Sequence, residues 1–181
     1  MKGSMFELGR NQLADLLRVG LESEPSATDK DRSVACVLEA KLASELPLDV
    51  SVADSLPAVL GRPCDCLRGY RGRSTAEVLL DPQADVSALT VLKDYAKELV
   101  RRSRSEVTLS VATVLYYAAI ASAIVFHDAK ITQHDYGQLE RSFAELAREP
   151  WLTADLQTLI AGARQICAMK DRISREETSQ E

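Results

Sequence analysis

The chain has 181 residues, of which 46% are hydrophobic and 27% charged, with a net charge of −5. A compact chain of this length buries roughly 70% of its unfolded surface, so it needs neither disulfides nor a structural metal to fold. Aromatic residues are only 5% of the chain, and leucine and alanine carry the apolar content, a composition that favours helix over sheet.

Charge is unevenly placed along the chain. Residues 1–61 carry 6 basic and 10 acidic side chains, residues 62–104 carry 9 and 6, and residues 127–181 carry 7 and 10. Between them, residues 105–126 hold only Glu106. An acidic chain with a mildly basic middle falls short of the excess expected of a nucleic-acid binder.

Apolar spacing is helical almost throughout. A first helix is expected over 5–22, with Phe6, Leu13, Leu16, Leu17 and Leu21 on one side. A second is expected over 29–46, opened by the capping-box-like Thr28-Asp29-Lys30-Asp31 and stopped by Pro47. Asp54 or Ser55 is expected to cap a short helix with Pro57 in its first turn. The stretch 61–74 is irregular and rich in glycine and arginine. Ser74-Thr75-Ala76-Glu77 is an S-x-x-E capping box before Val78, Leu79 and Leu80.

Asp85 is placed to cap a long helix to about 104, with Val86, Leu89, Leu92, Ala96, Leu99 and Val100 as its apolar face. The next stretch, VTLSVATVLYYAAIASAIVF over 107–126, runs twenty residues without a charge, the length of a membrane span. Four hydroxyls, five alanines and a central Tyr116-Tyr117 pair weaken that reading, because tyrosines in spans prefer the interface. The surrounding one-sided helices each need a surface to cover their apolar stripe. A helix apolar all round supplies one, so 107–127 is expected to be the buried centre of the fold. A helix to about 148 follows, with Tyr136, Leu139, Phe143 and Leu146 in register. The last spans about 154–172, with Leu156, Leu159, Ile160, Ala163, Ile166 and Cys167 inward. Residues 174–181 are polar and expected to be a disordered tail.

These elements predict an all-α fold: one compact helical bundle over 1–173, of about six to eight helices, with its apolar helix central. No repeat of 33 to 47 residues suggests a solenoid, and no strand–helix alternation suggests an α/β sheet.

Candidate chemistry is sparse. The only histidines fall in two His-Asp pairs, His127-Asp128 and His134-Asp135. Both residue types ligate divalent ions, so the pairs are weak metal candidates. A helix start favours an acid at 135, however, and a helix end suits an imidazole at 127. Arg62, Arg68, Arg71 and Arg73 share a segment with Gly69, Gly72 and Tyr70. Guanidinium forks on a free backbone can hold an anion or an acidic partner, and Arg101 and Arg102 add to the basic middle. Cys64 and Cys66 lie among these arginines, which would lower a thiol pKa. Their C-x-C spacing is too tight for a common zinc knuckle. Cys36 and Cys167 read as small core residues.

No P-loop, nucleophile elbow or cofactor fingerprint is present. No cofactor is assigned and no catalytic residue is expected. The leading expectation is a protein–protein interaction or regulatory module, meeting a protein partner or a second copy of itself. Its rivals are an enzyme with a site near His127 and His134 or Cys64 and Cys66, and an anion or nucleic-acid binder using Arg62 to Arg73. No membrane contact is expected. The N-terminus shows no leader-like progression, so a cytoplasmic location is expected.

Overall fold

A computed structural model describes residues 51–61, 73–102, 105–131 and 134–180. The helices expected at 5–22 and 29–46, and with them Cys36, lie outside the described residues, as do Arg62, Cys64, Cys66, Arg68 and Arg71. The described residues form six helices and no strand: α1 Val52–Leu60, α2 Thr75–Leu79, α3 Val86–Arg102, α4 Glu106–His127, α5 Tyr136–Leu146 and α6 Ala154–Thr178. The fold is all-α.

The first helix starts earlier than its sequence suggested. The Ser51 hydroxyl oxygen accepts from the Asp54 backbone N–H at 3.2 Å, and the same hydroxyl donates to the Asp54 carboxylate at 2.8 Å. Ser51, not Asp54 or Ser55, is the cap. Pro57 therefore sits past the first turn, where it removes one rung of the helical ladder. Leu56 and Leu60, four apart, are buried.

The second helix is short and closed at both ends. Ser74 and Glu77 exchange the two bonds of a capping box, at 3.2 and 3.0 Å. Arg73 reaches across the helix to Asp81 at 2.8 Å. Val78 and Leu79 are buried between these two ties.

On α3, Leu89, Leu92, Ala96 and Leu99 are buried as their spacing predicted, joined by Ala88 and Val91. Val86 and Val100 are 43% and 40% exposed, so both leave the predicted apolar face. They mark the edge where the covered stripe ends.

Helix α4 is the centre. It packs against α1, α2, α3 and α6, and reaches α5 through Tyr117, whose ring meets Phe143 edge-on at 6.0 Å. By length and composition it could cross a membrane, yet 61% of its apolar window is buried inside the protein. Ser105 caps its start. Asp128 ends it in the left-handed region, with φ 45°, and the N–H groups of Asp128 and Ala129 both reach the Ala123 carbonyl. Alanines set the packing: Ala112, Ala118, Ala119, Ala121 and Ala123 are all buried, which lets neighbouring backbones approach from several sides.

Helices α5 and α6 pair along their lengths. Asp135 caps α5 by accepting from the Gln138 N–H at 2.7 Å. Arg164 of α6 bonds Glu140 of α5 at 2.8 Å, and Lys170 bonds Asp128 at 2.7 Å while lying over the Tyr136 ring. Leu156, Leu159, Ile160, Ala163 and Cys167 face inward, and Ile166 is half-buried. The helix continues to Thr178, through residues expected to be a disordered tail. An i,i+4 ion pair, Asp171 with Arg175 at 3.1 Å, supports this extension, and Met169 and Ile173 are exposed on either side of its start.

Two substitutions probe the α4 packing in opposite directions. Ala123→Leu, or Ala119→Leu, is expected to overpack the core and cost roughly 1–3 kcal/mol. A Cβ at Gly162 would meet Val125 Cγ2 at 3.6 Å, an ordinary contact. Gly162→Ala in mid-helix is therefore expected to gain up to about 1 kcal/mol. Urea unfolding followed by circular dichroism measures both.

Candidate functional site

A helix that is apolar all round is hard to cover completely, and α4 is not. Leu109, Ser110, Thr113, Tyr116 and Tyr117 recur at three- and four-residue spacing, which places them along one side. Leu109 is 43% exposed and the others are half-buried. The Thr113 hydroxyl is committed to its own helix, donating to the Leu109 carbonyl at 2.7 Å.

This side forms one wall of a cleft of about 390 Å³. Leu109, Ser110, Thr113, Val114 and Tyr117 line it from α4, and Ser142, Glu145 and Leu146 from α5. Glu149 and Trp151, from the turns after α5, complete it. Its size is at the low end of small-ligand pockets, roughly 300–1,000 Å³. Glu145 and Glu149 are exposed, while Trp151 is half-buried against the core. Trp151 is the single tryptophan of the chain.

Behind the cleft lies an aromatic relay. Tyr117 meets Tyr116 edge-on at 5.2 Å, and Tyr116 meets the His134 ring at 5.9 Å. The Tyr116 hydroxyl and His134 Nε2 share a hydrogen bond of 2.7 Å. Burial, helped by Tyr117, pushes the Tyr116 phenol above its ordinary pKa. The arrangement links the start of α5 to the middle of α4.

The two His-Asp pairs take separate partners. His134 bonds Tyr116, and Asp135 caps α5. Asp128 bonds Lys170, and the hydrogen bond and charge of that ammonium hold its carboxyl below the ordinary carboxylate range. His127 Nε2 is buried and finds no hydrogen-bond partner among the described residues. Among those residues no three His, Cys, Asp or Glu side chains group as metal ligands. Arg73 is engaged by Asp81. Asp81 is likewise held low, first by the Gln83 N–H it accepts at 2.8 Å and then by Arg73. Arg101 lies 3.5 Å from Glu98, one turn back on α3, and Arg102 ends the same helix. Burial pushes the Cys167 thiol up to about 11.

Sequence reading did not single out the cleft. Its walls are distant in sequence, and its one local signal was the Ser110 and Thr113 hydroxyls inside an apolar run. No protein-family model matches the chain, and no curated protein and no solved structure matches it.

Two outcomes are expected from this chemistry. With Cys36, Cys64 and Cys66 replaced by serine, Cys167 should stay silent to a disulfide reagent at neutral pH and react on unfolding, because only the thiolate attacks. The carboxyls of Asp81 and Asp128 lie below their ordinary 3.8 when folded. Their stabilisation is therefore present above that value and lost as pH falls through the lowered one. Asp81→Asn with Asp128→Asn should flatten the acid limb of a stability–pH profile and leave its shape above pH 5 unchanged.

Proposed function

We propose that this protein is a helical interaction module that holds a segment of another protein in the cleft between α4 and α5. The observation that carries this reading is the open α4 wall. Leu109 is exposed beside Thr113, Val114 and Tyr117, facing Leu146 and Trp151. A row of apolar anchors at helical spacing, edged by polar groups, suits an amphipathic helix laid into a groove. A half-buried tryptophan in such a row is the kind of residue that carries much of a binding energy.

The test is site-specific photo-crosslinking. A crosslinker at position 109 should capture a discrete partner that a crosslinker at exposed position 157 on α6 does not. Trp151→Ala should reduce that capture at least ten-fold without unfolding the chain. Equal capture from both positions, or none from 109, would withdraw the proposal.

A further inference from the structure

We infer that the cleft selects a basic partner: an amphipathic helix whose apolar stripe is flanked by lysine or arginine. This rests on the reading of the cleft as a helix-binding groove and adds the charge of its occupant.

Three observations carry it. Glu145 and Glu149 both line the cleft and both are exposed, so they sit at its mouth rather than its floor. Among the described residues no lysine or arginine lines it. The cleft also lies at the C-terminal end of α5, where Leu146 is the last helical residue. Turn N–H groups already bond the Phe143, Glu145 and Leu146 carbonyls there, and the negative end of the α5 dipole still carries the same sign.

An apolar floor with an anionic mouth attracts a partner with cations beside its hydrophobic anchors, and the aromatic residues Trp151 and Tyr117 line the same cleft. The same charges disfavour two other occupants. A second copy would bring a net charge of −5 to an acidic rim. The chain's own residues 1–50 carry 6 basic and 9 acidic side chains, so they too are of the wrong sign.

Trp151 gives a direct readout because no other tryptophan emits. The full chain is titrated with two synthetic helical peptides. Both carry leucines at i, i+3, i+4 and i+7. One is flanked by lysines and the other by glutamates. The lysine peptide should shift Trp151 emission saturably and bind about ten-fold more tightly at low salt, an advantage that shrinks as salt screens it. Glu145→Gln with Glu149→Gln should bring the two peptides to equal affinity. Both glutamates are exposed, and circular dichroism verifies that the fold is kept.

Equal binding of both peptides, unmoved by the glutamine variant, would overturn the basic assignment and leave the groove standing. Failure of both peptides to shift Trp151 would overturn the groove itself. Concentration-dependent self-association that Leu109→Arg abolishes would assign the cleft to a second copy and overturn the inference.

Discussion

The burial of α4 is the constraint on which the other described helices depend. A helix with apolar residues on every face has no solvated side to offer, so it must be wrapped. The wrapping helices in turn have only one apolar stripe each. Leu89 and Leu92 on α3, and Ile160 and Ala163 on α6, find cover because α4 presents Val111, Leu115, Ile120 and Ile124 in several directions. Remove the centre and α3 loses the surface that covers its stripe, while α5 and α6 are left with little beyond each other, and such segments are marginal in water by themselves.

The ties around this centre are short-range and polar. Arg73 with Asp81 brackets α2, Lys170 with Asp128 joins the end of α4 to α6, and Arg164 with Glu140 joins α6 to α5. Exposed pairs of this kind contribute little to stability individually. Their value is in position: the first closes α2 on itself, and the other two tie α6 to its neighbours at defined points along its length. Gly137 leaves room at the same seam: a Cβ there would stand 3.1 Å from an Asp171 carboxylate oxygen, and that side chain would have to shift by a few tenths of an ångström.

Most of the described helical architecture was legible in the sequence, and the misses have physical causes. The α2 capping box and the ends of α4 are local chemistry, written in adjacent residues. The start of α1 was misplaced because three residues in its first stretch, Ser51, Asp54 and Ser55, can all cap, and only the observed bond to the Asp54 N–H chooses. Val86 and Val100 were assigned inward because a 3.6-residue period gives the direction of a stripe but not its covered width. The end of α6 was missed for the opposite reason: past residue 172 the helix is supported by its own ion pair, not by burial, and leaves no apolar pattern. The cleft was invisible because its two walls, at 109–117 and 142–151, meet only after α4 and α5 have packed. Of the arginines and histidines that stood out in the sequence, Arg73, Arg101 and His134 are engaged locally, while His127 Nε2 finds no partner among the described residues.

The alanines of α4 have an entropic consequence. A buried leucine or methionine surrenders rotamer freedom when it is fixed, whereas alanine has none to surrender. Ala112, Ala118, Ala119, Ala121 and Ala123 are buried at the contact surfaces of one helix, so α4 is ordered mainly by fixing its backbone. Close helix approach is obtained there with few side-chain motions to freeze. Such an interior keeps little slack, in contrast to the cleft wall, where Leu109, Tyr117 and Trp151 are larger side chains left only partly covered.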